Sequence, residues 1–325
     1  MKKHYGTLDG LRMIAAFGIV MMHIQANTDY QLSGFIYDRV IPSFTNFTFL
    51  FMVISAFGMC CGYYEKVLTN QIDWETFYLK RFKKIFPFFC LLVLLDILVS
   101  PSINSLYEGF ADITLLFGFI PQSMNVIGVG WFIGLVFVFY LIFPFYCVLI
   151  KTKKRAWIIF IISLIYNFVC SNYFELGRSN ILYSGCFFIA GGLIYLYRNE
   201  ISKINQFPLL CLLIFVIVSY YLLNGSFLMC LIASIMLVVY AAGSSSKLLD
   251  NSITHFFSNI SLEIYLSHMF IFRILEKLNL LALTKIGGVS YVITLTLVIV
   301  GASMFALCFQ KVDKVLNEKI NRRNV

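Results

Sequence analysis

The chain has 325 residues, of which 60% are hydrophobic and 17% aromatic, while only 13% are charged. Its mean hydropathy is +0.85. Soluble domains carry about a quarter charged residues, so this composition excludes an ordinary soluble globular fold. The net charge of +9 does not point to nucleic acid, because the basic residues sit in short segments between apolar runs.

The first apolar run, 8–26, reads LDGLRMIAAFGIVMMHIQA and carries Asp9, Arg12 and His23. Charges inside a spanning helix are costly and usually have a function. Arg12 and His23 are eleven residues apart, which returns to within about 20° of the same helix face some 16 Å further along the axis. Asp9 lies within about 40° of that face. One stripe of one helix therefore carries a carboxylate, a guanidinium and an imidazole. Histidine titrates near neutrality and suits a general base acting on a hydroxyl. An arginine here suits a phosphate or carboxylate. The plainer alternative is an ion pair at one membrane face and an interfacial histidine at the other. Lys2 and Lys3 resemble the start of a secretory signal, but the run that follows is charged and lacks a small-residue cleavage site, so this helix is expected to remain.

Further apolar runs follow at 42–63, 85–100, 129–150, 156–172, 181–198, 207–223, 227–243, 255–274 and 289–309. With the first they make about ten expected transmembrane helices. The segment 64–84 reads as a loop whose basic end, FYLKRFKKIFP, holds Lys80, Arg81 and Lys84 within about one helical turn. It is either a cytoplasmic positive-inside loop or a phosphate site beside Arg12. A shorter run near 111–121 decides the topology. If it does not span, Lys2, Lys3, the 64–84 cluster, Lys151, Lys153, Lys154, Arg155 and the basic 310–325 tail all share one side. That places both termini in the cytoplasm and makes 111–121 re-entrant or surface-lying on the outer side. Pro42, Pro87 and Pro208 are expected near helix starts, and Pro144 inside a helix.

Asp96 in the third run and Glu263 in the ninth are intramembrane carboxylates, each a candidate functional group or a hydrogen-bonding anchor between helices. Asn259, Glu263 and Ser267 recur every four residues as a polar stripe, with Tyr265 and His268 on another face. His4 and His255 flank helices and need no special role. The nine cysteines all fall in apolar runs without a CxxC pair, so they read as packing residues, and no metal site is expected. No internal repeat or appended domain is evident. The expected architecture is an all-α polytopic membrane protein with one domain over 1–325, its residues 310–325 forming a basic cytoplasmic tail.

Five segments in order resemble the integral-membrane acyltransferase family 3. Asp9, Gly10, Leu11, Arg12 and His23 match its first-helix pattern. Phe47 to Phe57 resembles its phenylalanine-rich Ile-Ser-Gly-Phe segment, with Ala56 in place of the glycine. Arg81, Ile85 and Pro87 match its basic segment, Trp131, Phe139, Tyr140 and Pro144 its Trp…Phe-Tyr…Pro spacing, and Tyr265, Leu266 and His268 its Tyr-Leu-x-His motif. Many members carry a Glu-Glu pair where Val136 and Phe137 stand, so no role for those acids carries over.

The resemblance implies an O-acyltransferase that moves an acetyl group from cytoplasmic acetyl-CoA to a hydroxyl of an extracytoplasmic polysaccharide or lipid-linked sugar, such as a capsule or exopolysaccharide. In that reading His23 is the general base, or less directly an acyl carrier, supported by Asp9 and Arg12. Arg12, Lys80, Arg81 and Lys84 hold the coenzyme A phosphates. Trp131, Tyr140, Glu263, Tyr265 and His268 bind substrate. The expected partners are an acyl-CoA, a cell-surface glycan or lipid-linked sugar and the lipid bilayer, with no nucleic acid; a homo-oligomer is compatible with the sequence. The expected location is the cytoplasmic membrane, multi-pass. The competing class is a transporter or flippase-like protein for a lipid-linked sugar, against which stands the lack of paired broken helices in two halves.

Overall fold

The computed structural model describes residues 5–120, 127–223, 225–281 and 283–323, with side chains described up to 319. His4, Lys2 and Lys3 lie outside the described residues, as do residue 121 and the side chains of Arg322 and Arg323. The described chain is helical, with no strand. In order, α1 is Gly6–Ala26, α2 Ile41–Ser43, α3 Phe47–Leu68, α4 Trp74–Val99, α5 Ile103–Thr114, α6 Trp131–Leu149 and α7 Lys153–Asn172. Then come α8 Ile181–Leu196, α9 Arg198–Ile201, α10 Gln206–Leu222, α11 Phe227–Gly243, α12 Ser252–Asn259, α13 Ser261–Lys277 and α14 Gly287–Arg323.

Polar residues at the ends of apolar runs fix where helices begin. Thr152, Asn180, Asn205 and Ser226 each accept a hydrogen bond from a first-turn N–H of α7, α8, α10 and α11. Ser102 and Asn251 form capping boxes at α5 and α12. In the membrane interior small residues let backbones approach. Gly191 of α8 lies so close to α3 that an added Cβ would sit 2.4 Å from the Val53 carbonyl oxygen.

Among the described residues, five helical stretches are long and apolar enough to cross a bilayer: 6–26, 36–68, 128–149, 153–172 and 287–319; α8, α10 and α11 are apolar but shorter. The share of the apolar window buried inside the protein separates the layers. It is 61% for α1 and α6, but 22% for α7 and 28% for α14. The outer faces of α7 expose Ile158, Ile161, Ile162, Ile165 and Phe168. A helix apolar on its exposed side as well as its packed side suits lipid. The central helices α1, α3, α6 and α8 thus form the core, with α7 and α14 at its margin.

All ten expected windows fall on helix, but several boundaries differ. The 64–84 segment is mostly helix: α3 continues to Leu68, and α4 starts at Trp74 because the Asp73 carboxylate accepts from the Thr76 N–H. Lys80, Arg81, Lys83 and Lys84 therefore ride on the first turns of α4, and Pro87 lies inside that helix rather than at its start. Hydropathy registers the apolar run, whereas the cap twelve residues earlier, Asp73, sets the start of the helix. Window 255–274 is two helices, broken at Ile260 with φ −112° and ψ 11°. Among the described residues neither α12 nor α13 is long and apolar enough to count as a span, and α12 packs beside the start of α1. Residues 310–323 continue α14, which runs unbroken to Arg323.

The described part of the expected 111–121 segment, 111–120, is the last turn of α5 and a 3-10 turn, Leu116–Phe119, joined by Leu115 at φ 58°. It does not span. Phe117 is buried, and Gly118 lies against Gly134 of α6 so closely that a Cβ at 118 would meet the Gly134 carbonyl at 2.5 Å.

Candidate active site

Asp9 is the junction of the site. One carboxylate oxygen accepts from Arg12 Nη1 at 2.7 Å and from Ser258 Oγ at 2.8 Å. The other lies 2.9 Å from His255 Nδ1, and His255 Nε2 lies 2.9 Å from Asp250 Oδ1. A carboxylate accepts, so an imidazole bonded on both sides carries two protons. The hydrogen bond to Asp9 accordingly raises the His255 pKa above its ordinary 6.5, with Asp250 adding to the effect. This imidazole ties α12 to the first helix, against the expectation that His255 has no special role. No local pattern could have revealed it, since 246 positions separate the partners.

Beside this junction opens a cavity of about 350 Å³, lined by Asp9, Arg12, Arg81, Lys84, Tyr140, Glu263 and Tyr265 among others. Seven of the eleven expected site residues thus meet in one space. Apolar walls come from Phe51, Ile54, Phe132 and Ile133. Arg12 is paired with Asp9. Arg81 donates to the Tyr63 hydroxyl at 2.8 Å and lies over the Tyr63 and Tyr140 rings at 4.9 and 5.7 Å. Among the described residues neither Arg81 nor Lys84 has a carboxylate within ion-pair distance. Glu263 accepts from Gln310 Nε2 at 2.9 Å. Two cations without an ion-pair partner, in a cavity whose acids Asp9 and Glu263 bond to other groups, suit a polyanionic ligand.

A second cavity, about 300 Å³, lies at the other end of α1. His23, Asn27, Asp96, Val129, Leu266 and Arg273 are among its lining residues. Asp96 accepts from Arg273 Nη1 at 2.8 Å, which gives the intramembrane carboxylate its partner. Between the two cavities stands Tyr265. Its hydroxyl donates to the Val129 carbonyl at 2.6 Å, and Phe51 and Phe132 flank its ring at 6.3 and 5.6 Å. Tyr265 lines the first cavity and Val129 the second, so this bond joins a wall of one to a wall of the other.

Three expected site residues stand elsewhere. Lys80 is exposed on α4 and lines neither cavity. Trp131 does not line the second cavity; its ring packs under the Arg178 guanidinium at 4.9 Å. Arg178 in turn donates to Thr45 Oγ1 at 2.7 Å and to Thr48 Oγ1 at 2.6 Å, a clamp between the starts of α3 and α6. His268 is fully buried and lines neither cavity. Its ring lies 5.1 Å from that of His23.

Comparison with known families gives a match over nearly the whole described chain. The model of acyltransferase family 3, described as an acyltransferase domain, matches residues 5–309. No curated protein and no solved structure matched.

Proposed function

Because the chain belongs to acyltransferase family 3 and is a membrane acyltransferase, we propose that it moves an acetyl group from cytoplasmic acetyl-CoA to a hydroxyl of an extracytoplasmic polysaccharide or lipid-linked sugar. The observation that carries this reading is the pair of cavities at opposite ends of α1. One holds the unpaired Arg81 and Lys84, the other holds His23, and the Tyr265–Val129 hydrogen bond lies between. A two-substrate transfer across a bilayer needs such an arrangement: a donor entrance, an acceptor entrance and a narrow middle.

In this reading ten helices span the cytoplasmic membrane with both termini inside, as the distribution of lysine and arginine favours. The phosphates of acetyl-CoA rest on Arg12, Arg81 and Lys84, and the flexible pantetheine arm carries the thioester along α1 past Tyr265. The sugar enters the second cavity, where Asn27, Asp96 and Arg273 offer hydrogen bonds. His23 takes the proton of the attacking hydroxyl as its oxygen bonds to the thioester carbonyl carbon. The carbon–sulfur bond breaks, and the proton passes to the leaving thiolate. An ester and free coenzyme A result.

The test is acyl transfer by purified protein in nanodiscs, with radiolabelled acetyl-CoA and an acceptor glycan. Label in the glycan that alkali releases as acetate supports the reading. Acetyl-CoA bound and hydrolysed without acceptor-dependent label contradicts it.

A further inference from the structure

A third cavity, about 290 Å³, opens on another face of α1, between α1, α3, α10 and α11. Leu11 and Ile14 line it, at about 100° and 160° around the helix from Arg12. Ile14 remains 40% exposed on this core helix, where the cavity opens. Leu50, Ile217, Ala233 and Leu237 form the depth, with Ser234 among them. Other polar groups gather at one end, where α10 finishes and the chain leads into α3. Ser43 Oγ lies 3.0 Å from the Tyr221 hydroxyl, and Asn46 Nδ2 donates to the Tyr220 hydroxyl at 2.9 Å. An added Cβ at Gly18 would meet the Phe47 ring at 2.4 Å. The polar rim therefore crosses α1 near Gly18, about 7.5 Å along the axis before His23. Beside the rim stands Arg178, which donates to the Thr45 carbonyl and hydroxyl, one residue before Asn46. It lies within electrostatic range of His23 and of Cys230, which lines the cavity. Among the described residues no carboxylate comes within ion-pair distance of this guanidinium, and its buried Nε–H has no hydrogen-bond partner. A cation drawn out of water without an anion is costly. An apolar cavity with a hydroxyl rim and an uncompensated cation beside it is complementary to an amphiphile that carries a hydrocarbon chain and a phosphate.

We propose that this cavity holds the hydrocarbon chain of the acceptor, a sugar carried on a lipid phosphate, with the phosphate against Arg178. This rests on the proposed transfer to a sugar hydroxyl and narrows the acceptor to a lipid-anchored one. The chain lies between the helices, the phosphate stays at the rim, and the sugar extends past the end of α1 towards His23. Arg178 then gains the anion that the described protein residues do not supply. The position of the rim, at the His23 end of α1, favours the acceptor over a bulk phospholipid as the occupant.

The probe is an isoprenyl phosphate that carries one sugar and a diazirine at the far end of its chain, mixed into phosphatidylcholine nanodiscs holding the full protein. Illumination is expected to label the stretches around Leu50 and Leu237, read by mass spectrometry. Unlabelled isoprenyl phosphate sugar is expected to displace the probe, and excess phosphatidylglycerol to leave it in place. Ala233→Leu and Ile14→Phe fill the cavity from two different helices, so if one fails to fold the other decides. Each is expected to cut labelling about tenfold. Arg178→Gln is expected to weaken probe binding about tenfold, and Arg178→Lys, which keeps the charge, to lose less. Labelling that spares these stretches, that persists when the cavity is filled, or that phosphatidylglycerol displaces as readily as the unlabelled probe overturns the inference. Probe binding unchanged in Arg178→Gln overturns the placing of the phosphate. Displaceable labelling of these stretches in a protein that transfers no acetyl group would count against the proposed function and leave the lipid site standing.

Discussion

The hydroxyl of Tyr265, which lines the first cavity, donates to the carbonyl of Val129, which lines the second, at 2.6 Å. Tyr265 is 2% exposed, so the bond is shielded from water and strong for its kind. In Tyr265→Phe the ring stays and the bond goes. Acetyl-CoA hydrolysis is expected to rise severalfold relative to transfer, as water gains the thioester. An unchanged hydrolysis-to-transfer ratio, measured as free thiol against esterified acetate, would show that this contact is no barrier.

Arg81 and Lys84 line the first cavity and, among the described residues, have no carboxylate within ion-pair distance, whereas Lys80 is exposed and does not line it. Charges that grip the phosphates equally in ground and transition state change KM and leave kcat alone. Arg81→Met and Lys84→Met are each expected to raise KM for acetyl-CoA about tenfold or more, and Lys80→Met to leave it within about twofold. A charge-assisted hydrogen bond of roughly 1.5–3 kcal/mol underlies that magnitude. Arg81→Lys is expected to recover little, because the stacking of the guanidinium over Tyr63 and Tyr140 is lost.

His255 bridges Asp9 and Asp250 outside the membrane-spanning segments. Its pKa is raised in the folded protein by the Asp9 hydrogen bond. The folded state therefore binds the proton more tightly than the unfolded one. The stabilisation is complete below the ordinary value of 6.5 and is lost as pH rises through the raised folded value. His255→Asn is expected to melt below the wild type at pH 6, with the gap narrowing as the pH is raised past neutrality. A gap that is constant with pH would mean that His255 acts without its charge.

Gly191 packs α8 onto α3 at backbone contact. Gly191→Ala forces the helices apart or strains them, an overpacking cost of about 1–3 kcal/mol. A lower melting temperature in detergent is the expected result. Gly185, where an added Cβ meets nothing within 4 Å, provides the control on the same helix through Gly185→Ala.

The helices and one cavity were legible in the sequence because both depend on short-range pattern. Apolar runs gave ten windows, each of which is helical, and of the basic residues Lys80, Arg81 and Lys84, expected together in a loop, the last two line one cavity from a helix. Asp9 and Arg12 are three residues apart and pair as that spacing suggests. What depends on distant partners was hidden. The His255–Asp9 bridge, the Arg178 clamp on Trp131 and the contact of His268 with His23 join residues from opposite parts of the chain. The break at Ile260 was hidden differently: the apolar pattern continues across it, and only the backbone angles reveal two helices. The start of α4 was missed because a cap, Asp73, rather than hydropathy sets it.

Ester-linked acetate on purified surface glycan, compared between cells carrying the wild-type chain and cells carrying His23→Ala at matched membrane levels, is the most direct test of acyl transfer centred on His23. Acetate present with the wild type and lost with His23→Ala is the expected result. Acetate that persists undiminished in His23→Ala would contradict it and leave the stripe on α1 a structural feature.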